Sequence, residues 1–244
     1  MRTHTLVFSG RFQPFHVGHV EVIKYLVENF DGDILIGIVN PDPDNEILGD
    51  DKNFVRFSRD KNPLNYWERY NIIKLSLEEF NLLDKIQGIV PLPRPSINLE
   101  RAENYLAPKP RKFVLCKKWN DEIETWKAQK YIQNGEEVLW IPFEKFNPLV
   151  QLASGELIRS LMTLQNPGWK VFFPKKVKAF IEESGIYRKI IANQSDFQAK
   201  EYVLEAIKNT TLSKYLVEII STFSVNFTKS NTLLTNDSSL EKGL

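Results

Sequence analysis

The sequence has little cysteine, little histidine, no long hydrophobic run and almost no net charge. Its 244 residues include one cysteine, Cys116, and three histidines. An internal disulfide is therefore excluded, and a reducing, cytoplasmic compartment is expected. No apolar run approaches the ~20 residues of a membrane helix, and the polar N-terminus predicts no signal peptide. A net charge of +1 gives no overall field that favours nucleic acid or a membrane surface, so neither is expected as a partner.

Several motifs of well-known enzyme classes are also absent from the sequence. There is no P-loop lysine motif and no GxGxxG fingerprint, and no GxSxG sequence that would indicate an α/β-hydrolase. Histidines and carboxylates form no cluster with the spacing of zinc ligands, so no metal held by protein side chains is predicted. The length suffices for one larger α/β domain, alone or with an appendage.

The most informative stretch, residues 9–19, joins a predicted strand at residues 5–8 to a helix. Apolar residues then recur at helical spacing, so a helix is expected to begin near Gly18 or His19. Free N–H groups at a helix start attract an anion. His16 and His19 lie three residues apart and could face that anion together. The alternative is that the two imidazoles only cap the turn.

The rest of the chain alternates predicted strands and helices. Apolar segments predict four further strands, at residues 34–39, 86–92, 112–116 and 138–141. Intervening helices and strands that are apolar on both faces indicate an α/β fold with a parallel five-stranded sheet flanked by helices. We expect an α/β domain over residues 1–190, a helical C-terminal extension over 191–225, suited to self-association, and a disordered tail over 226–244.

Two segments leave alternatives open. Residues 46–64 form a long polar stretch that is either a lid closing basic residues over the bound anion or a solvated insertion. Asn65 and Glu68 match a capping box at the start of the next helix. Arg69, on that helix, could contact phosphate or pair with a carboxylate on the helix surface.

A second pattern, Ser154-Gly155-Glu156-Leu157-Ile158-Arg159, follows the last predicted strand. Ser154 is a good N-cap residue for a helix that buries Ile158. By itself this pattern is weak, because serine is common at helix starts. Its position at the carboxyl edge of the sheet strengthens it.

His16-Val17-Gly18-His19 resembles the HxGH signature of the nucleotidyltransferase superfamily, and residues 10–24 are similar to archaeal-type nicotinamide mononucleotide (NMN) adenylyltransferases. The resemblance implies a Rossmann-like fold and the use of ATP with Mg²⁺. It implies catalytic roles for His16, His19 and Arg159. The nucleotide-binding residues that it implies are Ser9, Gly10, Arg11, Phe12, Gly18, Asn147, Ser154 and Gly155. The late motif departs at Glu156, where the family usually has threonine.

The binding site for the second substrate is less well indicated. Lys117 and Lys118 follow the fourth predicted strand and suggest an anion, although solvated lysines are the alternative. Trp119 could stack on a cationic ring, and Asn40 ends the second strand. These four residues are the candidates for binding the acceptor.

Three functions follow from these patterns. The first is an enzyme that makes NAD from NMN and ATP with release of pyrophosphate. The second is an adenylyl- or cytidylyltransferase for another phosphorylated metabolite, which would use ATP or CTP. The third is a non-catalytic nucleotide-binding protein on the same fold. Many members of the family are oligomeric, so a homo-oligomer is possible.

Overall fold

The computed structural model describes residues 4–42, 61–116 and 122–222. Within them, five strands form one sheet of order β3-β2-β1-β4-β5, and every neighbouring pair is parallel. The strands are β1 Thr5–Gly10, β2 Asp33–Val39, β3 Ile86–Leu92, β4 Arg111–Cys116 and β5 Glu137–Ile141. The predicted five-stranded parallel sheet is confirmed.

Both faces of the sheet are covered, as the apolar character of its central strands predicts. Successive side chains of a strand point to opposite faces. Leu6 and Phe8 accordingly pack into the larger hydrophobic cluster, whereas Val7 packs with Phe113 and Tyr131 in a smaller cluster. Central strand β1 is therefore fixed from both sides, and so is the turn that follows it.

The helices in the described residues are α1 Val17–Asn29, α2 Tyr66–Glu79, α3 Leu99–Glu103, α4 Glu122–Gln133, α5 Pro148–Leu152, α6 Gly155–Thr163, α7 Lys175–Glu183, α8 Ile186–Ile191, α9 Asp196–Asn209 and α10 Ser213–Thr222. None of them is long and apolar enough to cross a membrane. Helix α1 begins at Val17, one residue before the predicted start. The sequence did not predict α3, α5 and α8, because helices of one or two turns show too little periodicity.

The capping box predicted before α2 is present. Asn65 Oδ1 accepts a hydrogen bond from the Glu68 N–H over 2.9 Å, and the Asn65 N–H donates to Glu68 Oε2 over 2.7 Å. At the other end of α2, the Glu79 carboxylate accepts from the backbone N–H groups of Lys175 and Lys176, each over 2.7 Å. Helix α2 therefore supplies the cap of α7.

The two C-terminal helices pack on the α/β core. Ala199 and Val203 of α9 and Leu216 of α10 are buried, with at most 5% of their surface exposed. Val203 and Leu216 belong to the same hydrophobic cluster as β1 and α1. The predicted domain boundary at residue 190 stays a prediction, as does the disorder of residues 226–244, which lie outside the described residues.

Candidate active site

A cavity of about 390 Å³ lies at the carboxyl edge of the sheet, between β1 and β4. From β1 the chain builds β2 and β3 on one side, and it then crosses to build β4 and β5 on the other. Ligands of open α/β sheets bind where the strand order reverses in this way. Ser9, Gly10 and Cys116 line the cavity at the ends of these two strands.

The turn between β1 and α1 brings the two predicted histidines together. The ring centroids of His16 and His19 are 3.8 Å apart. His19 also stacks on Phe15 and contacts the edge of Phe12, with both centroid distances at 5.0 Å. Both histidines line the cavity. The aromatic contacts fix the orientation of the His19 ring, so little rotamer freedom remains to be lost when a ligand binds.

The hydrogen bond of His19 determines which of its nitrogens is a donor. Its Nδ1 accepts from the His16 backbone N–H over 3.1 Å. In a neutral imidazole one nitrogen accepts and the other carries the proton. The proton of His19 is therefore on Nε2, which makes Nε2–H a donor. The same bond satisfies an N–H at the start of α1.

Two glycines allow this compact turn. A Cβ on Gly18 would lie 3.0 Å from the His16 ring, and a Cβ on Gly10 would lie 2.7 Å from Phe12 Cε1. Phe12 itself has a φ of 48°, which is uncommon for a residue other than glycine. Strained backbone of this kind is held by its surroundings and is frequent at functional sites.

Helix α6 forms the second wall of the cavity. Ser154 is its N-cap, with Oγ accepting from the Leu157 N–H over 3.1 Å. A Cβ on Gly155 would lie 2.5 Å from the Gln13 carbonyl oxygen, and the Arg159 guanidinium donates to that same oxygen. The two sequence patterns, more than 130 residues apart, are therefore in direct contact.

Gln13 connects the first turn to a third segment. Its side chain makes a pair of hydrogen bonds with the backbone of Leu64, each of 2.9 Å. Its carbonyl meanwhile accepts from Arg159. Gln13 is 4% exposed, so its amide would be costly to bury without these partners.

Arg69 contacts backbone carbonyl groups that the sequence does not indicate. It is fully buried, so its side chain does not lie on the helix surface. Its guanidinium donates to the backbone carbonyls of Arg11, Val39 and Asn40, over 3.0, 2.8 and 2.9 Å. Since Arg11 follows β1 and Asn40 follows β2, Arg69 holds the ends of the two strands together beside the cavity.

The negative charge of Glu156, at the start of α6, is paired with the positive charge of Lys61. Glu156 occupies the second position of the helix and forms an ion pair with Lys61, with Nζ and Oε1 3.0 Å apart. A carboxylate is favoured near a helix N-terminus. Lys61 offsets its negative charge close to a site suited to an anion.

The structure brings most of the predicted nucleotide-binding residues to one place. The cavity-lining residues that were predicted are His16, His19, Arg159, Ser9, Gly10, Arg11, Phe12, Gly18, Ser154 and Gly155. Asn147 is not one of the described lining residues. It caps α5, with Oδ1 accepting from the Val150 N–H over 3.0 Å. Its expected contact with the nucleotide stays a prediction.

Of the four candidates for acceptor binding, Asn40 is the one that the described residues include. Asn40 is fully buried, has a φ of 55° and offers its carbonyl to Arg69. Its carbonyl thus helps to join two strand ends, and its expected contact with the acceptor stays a prediction. Lys117, Lys118 and Trp119 lie outside the described residues, and so does most of the polar stretch 46–64.

Sequence reasoning assigned no site role to several polar residues that line the cavity, among them Gln13, Glu124, Lys127 and Tyr202. Glu124 and Lys127 form an ion pair on α4, and their spacing of three residues is a signal that could have been read. Gln13 lies inside the first motif. Tyr202 belongs to α9, and no local pattern in that helix indicates that it reaches the cavity.

The donors of this cavity suit a polyphosphate. Two helix starts, the imidazole N–H of His19 and the guanidinium of Arg159 surround it, and each favours negatively charged oxygen. No group of three or more His, Cys, Asp or Glu side chains that could hold a metal occurs in the described part of the chain. The arrangement fits binding of a nucleoside triphosphate and stabilisation of charge on its phosphates.

Comparisons with known proteins agree with this class of site. Residues 7–139, more than half of the chain, match the model of the cytidylyltransferase-like family. A nicotinamide-nucleotide adenylyltransferase of Thermococcus kodakarensis is 29% identical over 198 residues, which are 80% of this chain and 92% of that protein. A phosphonoformate cytidylyltransferase of Streptomyces viridochromogenes is 30% identical over 193 residues, or 77% and 96%.

A solved structure shares the fold. The Plasmodium falciparum nicotinic acid mononucleotide adenylyltransferase, complexed with NaAD, superposes with a TM-score of 0.51 at 14% identity and covers 76% of this chain and 98% of that one. The fold and the cavity define a nucleotidyltransferase. The chain belongs to the cytidylyltransferase-like family.

Proposed function

We propose that the protein transfers the adenylyl group of ATP to NMN, forming NAD and pyrophosphate. The observation that carries this proposal is the contact between the two motifs. The turn before α1 and the start of α6 meet through Arg159 and the Gln13 carbonyl, at the switch point of the sheet. The similarity to an adenylyltransferase that is named for nicotinamide nucleotide supports the choice of acceptor.

The reaction requires positioning and charge stabilisation more than covalent chemistry. A phosphate oxygen of the acceptor attacks the α-phosphorus of ATP, the bond from that phosphorus to the bridging oxygen breaks, and pyrophosphate leaves with the electron pair. No protein nucleophile is needed. The His19 Nε2–H donates to an α-phosphate oxygen as charge develops there. Arg159 and the N–H groups at the start of α6 bind the departing phosphates.

We propose that Mg²⁺ enters with the triphosphate. Hard cations of this kind are bound mainly by phosphate oxygens and water in such sites. The described cavity offers the carboxylates of Glu124 and Glu156, and each is already in an ion pair with a lysine. When bound, the cation would neutralise phosphate charge and favour departure of pyrophosphate.

A second function is favoured by one observation. The relative that is 30% identical is named a phosphonoformate cytidylyltransferase. Transfer of a cytidylyl group from CTP to a small phosphorylated or phosphonate acceptor is therefore the alternative. Lys117, Lys118 and Trp119 remain predicted contacts of the acceptor under either function, and a cytoplasmic location and a homo-oligomer also stay predictions.

A panel of substrates tests the proposal. The full chain is incubated with Mg²⁺ and ATP or CTP, each with NMN, nicotinic acid mononucleotide, phosphonoformate or no acceptor, and pyrophosphate release is measured. We expect the highest kcat/KM with ATP and NMN, and no release without acceptor. Turnover of CTP with phosphonoformate alone would favour the alternative. No turnover of NMN with ATP would overturn the first proposal.

A further inference from the structure

The start of α6 has a cavity-lining neighbour that neither sequence motif contains. Tyr202, on α9, lines the cavity together with Ser154, Glu156 and Arg159. Its hydroxyl oxygen lies 3.5 Å from Ser154 Oγ. The C-terminal extension thus places a hydroxyl group beside the N-cap of the phosphate-binding helix.

The position of Tyr202 is fixed by the way α9 packs on α6. Ala199 is fully buried and Val203 is 5% exposed. Between them, Lys200 and Glu201 are exposed to solvent. Just before the helix, Gln194 Nε2 donates to Ser160 Oγ of α6 over 3.1 Å. A side chain anchored on both sides in this way can be pre-organised for binding.

The contact between the two hydroxyl groups is long. Hydrogen bonds between hydroxyl groups are usually about 2.7–2.8 Å, so a distance of 3.5 Å represents a weak interaction. Ser154 Oγ already accepts from the Leu157 N–H, which leaves its own hydrogen to be donated. Little is lost if both hydroxyl groups turn to donate to one anionic oxygen, because hydrogen bonds to charged groups are stronger.

The charge state of Tyr202 suits donation. Burial raises the pKa of the phenol, an effect that the hydrogen bond with Ser154 partly opposes. The side chain is therefore neutral at physiological pH and carries its proton. A neutral phenol donates to phosphate, whereas a phenolate would repel it.

We propose that Tyr202 is a binding residue for the pyrophosphate portion of the triphosphate, donating to the same phosphate group as Ser154. The assignment rests on the proposed nucleotidyl transfer. The pyrophosphate portion carries most of the charge of the triphosphate, and the start of α6 brings the donors Ser154, Arg159 and Tyr202 together in the described cavity wall. The C-terminal extension then serves substrate binding in addition to packing.

Tyr202→Phe tests the assignment because it keeps the ring and removes only the hydroxyl group. In the full chain with Mg²⁺, we expect ATP affinity, measured by calorimetry, to fall about tenfold, as for loss of a hydrogen bond to a charged group. The affinity for AMP, which lacks the pyrophosphate portion, should stay unchanged. KM for ATP should rise with kcat and KM for NMN unchanged, since the contact exists before and during the reaction.

Tyr187→Phe is the matched control. The Tyr187 hydroxyl group donates to the Met162 carbonyl of α6 over 3.1 Å but is not among the described residues that line the cavity. Its loss should lower the unfolding temperature and leave ATP affinity unchanged. The proposal is wrong if Tyr202→Phe binds ATP as tightly as the wild type, or if AMP affinity falls as much as ATP affinity.

The binding measurements distinguish failure of the proposed reaction from failure of the role proposed for Tyr202. If the wild type binds neither ATP nor CTP, the proposed function and the role of Tyr202 both fail. If the wild type binds ATP but turns over no acceptor, the proposed reaction fails, and the comparison of ATP with AMP still decides whether Tyr202 binds the phosphates.

Discussion

At the scale of single residues, His19 connects the start of α1 to the cavity. Its Nδ1 accepts the His16 N–H, and its ring packs against Phe12 and Phe15. These contacts place the proton of the neutral ring on Nε2, and we propose that this N–H donates to the bound nucleotide. Nδ1 therefore stabilises the turn, whereas Nε2–H has the proposed chemical role, and a substitution can remove one without the other.

We expect His19→Asn to lower kcat while largely retaining the turn. The asparagine Oδ1 can accept from the His16 N–H, but no donor remains at the position of Nε2. Loss of one donor to developing charge costs roughly 3 kcal/mol of transition-state stabilisation, or about two orders of magnitude in kcat. Pyrophosphate release in the presence of ATP and NMN is the measurement.

His4→Ala is the control for this prediction. His4 precedes β1, at the amino edge of the sheet and opposite the cavity, so its removal should leave kcat unchanged. Equal turnover by His19→Asn and the wild type would show that His19 has no chemical role.

At the scale of elements, the cavity depends on how strand ends and helix starts are joined. Gln13 joins the first turn to Leu64 and Arg159, and Arg69 joins β1, β2 and α2. These connections use backbone carbonyls as acceptors. A sequence pattern cannot reveal them, because any residue supplies a carbonyl and only the fold determines which ones meet.

Arg69→Met is expected to lower the free energy of unfolding by about 3 kcal/mol or more, because several buried carbonyls lose their donor. Urea denaturation measures this loss. Arg69→Lys should not restore stability, since one ammonium group cannot reproduce the planar set of donors.

Arg188→Met, on the exposed surface of α8, is the matched control for Arg69→Met. It should change the free energy of unfolding by no more than about 0.5 kcal/mol. Equal stability of the two methionine variants would contradict the structural role of Arg69.

At the scale of the whole molecule, periodicity and local motifs predicted the five parallel strands and the two motifs that meet in the cavity. They succeeded because β1 and its neighbours are apolar on both faces and because residues 9–19 and 154–159 carry local signals. They did not indicate that Asn40 joins two strand ends, that Asn147 caps a helix or that Tyr202 lines the cavity. The roles of these residues depend on contacts between distant segments or on a helix cap, and such contacts leave no periodic trace.

The C-terminal helices offer a further test at this scale. A chain that ends after Ile191 would lose the packing of Ala199, Val203 and Leu216 against the core. Burial of each such side chain contributes roughly 1–3 kcal/mol. We therefore expect the unfolding midpoint to fall by about 10 °C or more, as measured by calorimetry. An unchanged midpoint would instead indicate an extension that folds independently of the α/β core.

The most direct test of nucleotidyl transfer follows the α-phosphorus. The wild-type chain is incubated with Mg²⁺, NMN and ATP labelled at the α-phosphate. The labelled products are separated, and their amount is compared with the amount of pyrophosphate released. Direct transfer predicts that the label appears in NAD in equal amounts with pyrophosphate. If the label stays in ATP with NMN and with every other phosphorylated acceptor, and CTP gives the same result, the protein is not a nucleotidyltransferase for such acceptors.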